Sequence, residues 1–476
     1  MKQIRTRFAP SPTGFLHVGS IHTALFDYLL AKQSGGQFIL RSEDTDRARF
    51  VDAAENHIMD SLKALEINYD EGPDKAGPYG PYRQSERLKL YKVWAEKLVK
   101  SGRAYADPYT PEQVQEFRKQ AENEQKPFLF RNHRPAKPPT WDGTQPLRFK
   151  SEPKKYTWQD AVMGQLSAGA EAIDDFIIMK SDGYPTYNFA HIVDDFEMKI
   201  THVLRGQEFI ASTPNYLNLY EALEIDRPIF ATMPPILAPA GNRKLSKRDG
   251  AQDVLEYLRD GYLPEALVNF LAKIGWNDGT EQEIYAMDEL IKKFSLERIP
   301  RAGARFDDKK LLWLNGQWIK KLSVAELAKR CQDFWGEVGK EAKEAEQLEV
   351  LAVVQDRLKT LKDLPALSEY FFATPTLDLK MLENDKQLKK ISRTEQVEML
   401  EKTIAKLETT DWEIAKIQSS LNELLEITDS KPMILFSLIR YCLTWAAFSP
   451  ALPETMALLG KNQTISRLKT AASFRA

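Results

Sequence analysis

Cysteine is nearly missing from this chain: Cys331 and Cys442 are the only two in 476 residues. That excludes a disulfide framework and a four-thiolate metal site, and it suits a reducing compartment. No apolar run reaches the ~18 residues needed to cross a bilayer; the best, 433–448, is broken by Arg440. There is no apolar signal core and no long Arg/Ser-rich presequence at the start, so a soluble, cytoplasmic protein is expected. Neither sign of charge prevails, with 66 basic against 68 acidic residues and a net charge of −2. No internal repeat or low-complexity linker occurs. With 43% hydrophobic and 28% charged residues the composition excludes wholesale disorder. The length is about three times a typical ~150-residue domain, which predicts several domains.

What is present has order. Residues 4–9 read as a short strand, and Pro10-Ser11-Pro12-Thr13-Gly14 as a turn, since proline holds φ and glycine accepts positive φ. Ile21, Leu25, Tyr28 and Leu29 recur at helical spacing within 21–33, with Ser20 as the expected N-cap and Gly35-Gly36 as the stop. Residues 37–41 form the next strand. This order predicts a βαβ unit with parallel strands. From about 102 to 179 prolines crowd and the pattern turns irregular, which predicts an inserted subdomain. The βα pattern resumes at 184–195, with a strand at 201–204, a helix at 213–223 and a strand at 228–232. Beyond Asp249 the chain reads as helical almost to its end. The predicted plan is an interrupted α/β domain followed by an all-α half.

Two short constellations carry chemistry. At His17-Val18-Gly19-Ser20, peptide N–H groups and a helix N-terminus offer fixed positive charge, an anion site. In Lys244-Leu245-Ser246-Lys247-Arg248, preceded by Gly241-Asn242-Arg243, four cations stand within six residues beside glycines, a pattern that suits a loop closing on polyphosphate. Taken singly, each has a plain reading, as a capped turn or as a solvated basic loop. A third feature is a basic stripe: Lys292, Lys293, Arg298, Arg301, Arg305, Lys309, Lys310, Lys320 and Lys321 stand against Glu297, Asp307 and Asp308. It fits either phosphate contact or a solvated helical face.

Together and in this order, the first two constellations resemble the paired HIGH and KMSKS signatures of class I aminoacyl-tRNA synthetases. The finer resemblance is to the glutamyl-tRNA synthetases of the bacterial and organellar type. It is carried by Arg7-Phe8-Ala9-Pro10-Ser11-Pro12-Thr13-Gly14, Arg41-Ser42-Glu43-Asp44-Thr45-Asp46, Gly80-Pro81-Tyr82-Arg83-Gln84-Ser85-Glu86-Arg87, Ser181-Asp182-Gly183-Tyr184-Pro185-Thr186-Tyr187 and Thr201-His202-Val203-Leu204-Arg205-Gly206. It is dense to about residue 320 and diffuse beyond. The implied fold is a Rossmann-like parallel-sheet catalytic domain (1–100 and 184–250) interrupted by an acceptor-end-binding subdomain (101–183). A helical stem-contact domain (251–321) and an all-α anticodon-binding domain (322–476) follow.

The resemblance implies a glutamate–tRNA ligase. It would join glutamate to the α-phosphate of ATP and pass it to the 3′ end of tRNA(Glu). The carboxylate attacks already ionised, so charge stabilisation and in-line placement do most of the work. His17, Gly19, Ser20, Glu208 and Lys247 are the implied ATP contacts, and Lys244 joins His17, Gly19 and Lys247 as catalytic. Arg7 and Arg205 are implied to take carboxylates, Glu43 the ammonium, and Ala9, Ser11 and Tyr187 the pocket wall. An amide would leave a buried guanidinium unpaired, at roughly 3–5 kcal/mol, so glutamine is rejected by charge. Asp46, Arg305 and Arg357 are the implied tRNA contacts. In the insertion, Arg131, Arg134, Lys137, Arg148 and Lys150 interleave with Phe128, Phe130, Trp141 and Phe149. That composition grips unstacked single strands, or else makes a packed insertion with a basic rim. Mg²⁺ is implied by the ATP polyphosphate. Many relatives bind zinc through cysteines in the insertion; this insertion has none, so no zinc is expected. His191 stands where the family often has a small residue, and a structural histidine is expected there. A monomer is expected. Charging of tRNA(Gln) as well, or a non-catalytic tRNA-binding paralogue, are the alternative readings.

Overall fold

The structure, a computed structural model, describes residues 3–16, 18–245, 252–376, 378–446 and 448–473. It divides into two compact units, one of residues 1–256 and 267–308, the other of residues 257–266 and 309–476.

The first unit opens with β1 (Arg5–Phe8), α1 (Val18–Gln33) and β2 (Gln37–Leu40), with β1 and β2 parallel from Arg5↔Gln37 to Phe8↔Leu40. The helix begins at Val18, so Ser20 lies in its first turn instead of capping it. Val18 is wholly buried, and that packing overrides the weak helix propensity of Gly19 and Ser20. The expected apolar stripe is buried, but so are His22, Phe26 and Asp27; α1 is enclosed on nearly all sides. Gly35, at φ +64°, ends the helix. At Gly36 an added Cβ would lie 1.9 Å from the Ile4 carbonyl oxygen, so only glycine lets the chain pass.

α2 (Asp52–Ala64) and α3 (Leu88–Lys100) follow. Residues 101–183 supply β3 (Ala104–Ala106), α4 (Pro111–Asn123), β4 (Leu147–Phe149), β5 (Tyr156–Asp160), β6 (Gly164–Ala168) and β7 (Ile177–Met179). Three of these strands make a small antiparallel sheet, β3-β4-β7. After α5 (Tyr187–Glu197), β8 (His202–Gly206), α6 (Thr213–Leu223) and β9 (Ile229–Met233), the larger sheet has the order β6-β5-β9-β8. In it β9 is parallel to both β8 and β5, while β5 and β6 form a hairpin. The Thr201 N–H donates to the Arg5 carbonyl (2.9 Å) and the Arg5 N–H to Thr201 Oγ1 (2.8 Å), which joins the start of β8 to β1. One core runs through both parts, holding Leu147, Phe149, Trp158 and Met179 together with Phe189, Leu217 and Phe230.

Among its described residues the regular elements of the second unit are all helices. One of its cores gathers Ile319, Leu327, Trp335, Leu351 and Leu364; another gathers Leu400, Leu421, Leu438, Met456 and Leu468. Cys331 and Cys442 are free and buried, and burial pushes both thiols up to about 12. No helix among the described residues is long and apolar enough to cross a membrane.

Candidate active site

A cavity of about 420 Å³ opens at the C-terminal ends of the parallel strands β1 and β8, where crossover folds gather ligands. Arg7, Ala9 and Ser11 line it from β1 and the turn beyond, and Glu43 from the segment after β2. Tyr187 enters from the first residue of α5, and Arg205 with Glu208 from the end of β8. Gly19 and Ser20, in the first turn of α1, and Lys244 complete the wall. Segments more than two hundred positions apart therefore share one cleft. His17 and Lys247 lie outside the described residues.

Charge inside the cavity is arranged in two parts. Arg41 and Asp195, buried behind the lining and missed by sequence reasoning, form the first with Arg7 and Glu43. Asp195 Oδ1 accepts from Arg7 Nε (3.0 Å) and Arg41 Nη1 (2.7 Å), and Arg41 Nη2 donates to Glu43 Oε1 (2.9 Å). Burial alone would raise the Asp195 carboxyl; Arg7 and then Arg41 hold it at about 2. At Glu43 burial outweighs the pull of Arg41 and, more weakly, Arg7, and lifts the carboxyl to about 7.

Arg205 is the second part. It is 7% exposed, and Nη2 donates to Thr213 Oγ1 (2.8 Å). Its guanidinium lies over the rings of Phe230 (4.8 Å), Tyr216 (5.1 Å) and Phe209 (5.6 Å). Among the described residues no carboxylate comes within ion-pair distance of it, and burial lowers its pKa. A buried guanidinium without a counter-ion is costly unless a ligand supplies one. Beside it Tyr187 is also buried, its hydroxyl pushed up by burial and then by Glu43.

Towards the mouth, Lys244 Nζ donates to Glu208 Oε1 (2.9 Å). An added Cβ on Gly206 would lie 2.2 Å from Glu208 Oε2, so the glycine leaves room for that carboxylate. Lys244 is held by a hairpin: the Leu245 N–H donates to Ile236 O (2.8 Å), and the Ala238 N–H to Arg243 O (2.9 Å). His22 and Asp27, also missed, line the cavity from the buried face of α1, and burial lowers His22 to about 4. Neither was detectable as a site residue, because a helix enclosed on all sides has no polar face to mark them.

The other sequence candidates lie elsewhere. Asp46 is turned to Arg49 (2.7 Å to Nε), and Arg305 donates to Asn242 Oδ1 (3.2 Å). Arg357 belongs to the second unit and is exposed at its surface. His191 Nδ1 is 2.7 Å from the Tyr187 carbonyl of its own helix, and its ring stacks on Tyr187 at 4.7 Å. In the insertion, Arg148 pairs with Asp107 (2.6 Å) and sits 3.3 Å over Phe130, while Arg134 pairs with Asp175 (2.6 Å). Phe130 and Phe149 are buried. Arg148, Phe130 and Phe149 are interior and Arg134 is half-buried in its ion pair, which favours the packed insertion with a basic rim, on which Lys137 and Lys150 are exposed.

Parallel strand pairs, with a helix N-terminus and a tethered lysine facing one cleft, make the setting in which α/β proteins hold nucleotides. The catalytic-domain model of the tRNA synthetases class I (E and Q) matches residues 3–313, and an anticodon binding domain model matches residues 326–472. The chain belongs to this class I synthetase family. The glutamate–tRNA ligase of Clostridium tetani is 37% identical over 477 residues, covering 98% of this chain and 97% of that one. That of Flavobacterium johnsoniae is 38% identical over 506 residues, covering 99% of each. The crystal structure of a glutamate tRNA ligase from Elizabethkingia meningosepticum in complex with its amino acid matches with a TM-score of 0.88 at 34% identity, covering 99% of this chain and all of that one.

Proposed function

We propose that the chain is a glutamate–tRNA ligase. ATP and L-glutamate form glutamyl-adenylate and pyrophosphate, and the 3′-terminal ribose hydroxyl of tRNA(Glu) then displaces AMP. The observation that carries the reading is the buried Arg205, with no counter-ion among the described residues, in the same cavity as Arg7 and Glu43. A ligand carboxylate supplies the partner that Arg205 lacks, and a second carboxylate and an ammonium suit Arg7 and Glu43, which are held in place by Asp195 and Arg41.

Arg7 and Arg205 take carboxylate, Glu43 takes the ammonium, and Ala9, Ser11 and Tyr187 shape the wall. The first turn of α1, with Gly19 and Ser20, presents backbone N–H groups to phosphate, and Glu208 accepts from the nucleoside. Lys244, with His17 and Lys247 assigned from the signatures, balances charge that develops on the departing pyrophosphate. The glutamate α-carboxylate attacks the α-phosphorus while the bond to pyrophosphate breaks; no proton moves in this step. Mg²⁺ arrives on the ATP phosphates. Among the described residues no three His, Cys, Asp or Glu side chains cluster as a metal site. With no cysteine in residues 101–183, the reading includes no zinc.

The insertion contacts the acceptor end of tRNA, Asp46 and Arg305 its body, and the helical unit with Arg357 the anticodon. We place the protein in the cytoplasm as a monomer, with tRNA(Glu) as its partner. Charging of tRNA(Gln) is the variant to test beside it. Glutamate-dependent ATP–pyrophosphate exchange, measured with and without tRNA, tests the reading; absence of exchange in both would overturn it. Charging tRNA(Glu) and tRNA(Gln) side by side decides the partner.

A further inference from the structure

We propose that His57, on α2, is a positioning residue for adenylate formation: its ring ties the chain entering the His17 signature to the chain leaving the Lys247 signature. His57 lies outside the cavity lining and in neither signature. Its two ring nitrogens have different partners. Nδ1 accepts from the Leu16 N–H (3.3 Å), one residue before His17. Nε2 lies 2.6 Å from Asp253 Oδ2, shortly after Lys247 in sequence. A backbone N–H can only donate, so Nδ1 is the bare nitrogen and Nε2 carries the hydrogen that Asp253 receives.

The acidic partner and the ring are themselves anchored. The other Asp253 oxygen, Oδ1, accepts from the Leu255 N–H (2.7 Å), holding the carboxylate at the start of the helix Val254–Arg259. On the opposite side Phe15 stacks on the imidazole at 4.6 Å and 20°. The His57 and Asp253 side chains are only 11% and 14% exposed, so water competes weakly for the bond. An imidazole in this one tautomer spans the two segments, accepting at one ring nitrogen and donating in a diverging direction from the other. The tie matters because in-line transfer tolerates little displacement: a shift of about 1 Å costs up to ~10²-fold.

The inference rests on the ligase reading, and one assay separates the two. If the parent protein shows no glutamate-dependent exchange, the ligase reading fails. If the parent exchanges, His57→Ala should lower exchange kcat by roughly 10- to 100-fold, leaving KM for glutamate within about twofold and melting little changed. His57→Gln keeps a donor for Asp253 and His57→Asn an acceptor for Leu16, so each should recover only part of the loss. Asp253→Asn should add little to His57→Ala, because the tie is already cut. A His57→Ala kcat within about twofold of the parent would overturn the inference. So would a rise in glutamate KM in step with a fall in melting temperature, which marks a purely structural role. Should His57→Ala fail to fold, parental kcat in both the Gln and Asn variants would overturn it equally.

Discussion

Replacing Arg205 by glutamine separates binding from folding more cleanly than any other change in this cavity. Glutamine keeps a polar, uncharged side chain there and removes a guanidinium that has no carboxylate partner among the described residues. Without ligand, the variant loses three cation–π contacts and is relieved of the desolvation of an unpaired charge. Each contact is worth about 0.5–2 kcal/mol, and the desolvation penalty is of several kcal/mol, so the two largely cancel and the melting temperature should hold. With glutamate the balance changes. A substrate carboxylate left facing an amide loses roughly 3–5 kcal/mol, which at 1.36 kcal/mol per tenfold is a fall in kcat/KM of about 10²- to 10³-fold or more. Glutamate-dependent pyrophosphate exchange reads this directly. Melting with and without glutamate supplies the second measure: a ligand at a hundred times its Kd adds about 2.7 kcal/mol, and the variant should show almost none of that increment. If glutamate still shifts the variant's melting as it does the parent's, Arg205 does not meet a substrate carboxylate and the charge argument fails.

Three other outcomes follow from the same geometry. Burial lifts Glu43 to about 7, so below that pH it is neutral and has no charge for the substrate ammonium; KM for glutamate should climb as pH falls, approaching tenfold per unit, and level off above it. A profile flat from pH 6 to 8 in the parent, or unchanged in Glu43→Gln, would count against that role. Lys247→Ala should cut exchange kcat by roughly 10²-fold with the melting curve intact; parental turnover would remove this lysine from the mechanism. Asp160 is 1% exposed and accepts from the N–H groups of Val162, Met163 and Thr232 and from the Thr232 hydroxyl, fastening β5 to β9. Asp160→Ala should destabilise the first unit by about 2–4 kcal/mol, measurable by denaturant unfolding, and a loss under about 0.5 kcal/mol would refute the account.

How much could be read beforehand differed from element to element. The β1–α1–β2 order was legible because period-2 and period-3.6 patterns alternate there, punctuated by a Pro/Gly turn. The start of α1 was misplaced by three residues, since local propensity ranks Gly19 and Ser20 low while burial of Val18 draws them into the helix. In the insertion, composition suggested a basic, aromatic surface. Arg148 and Arg134 face Asp107 and Asp175, and Phe130 and Phe149 are interior, because counting residue types does not reveal which charges neutralise each other.

The local chemistry of the two signatures, the alternation of strands and helices and the helical second half follow from residue order, because they depend on neighbours within a few positions. Other features required the folded chain. Asp195 comes to stand between Arg7 and Arg41, Arg205 is buried beyond reach of any carboxylate among the described residues, and one imidazole spans Leu16 and Asp253. Each of these depends on burial and on distances between remote segments. Those two quantities set the strength of a charge, and no short stretch of sequence contains them.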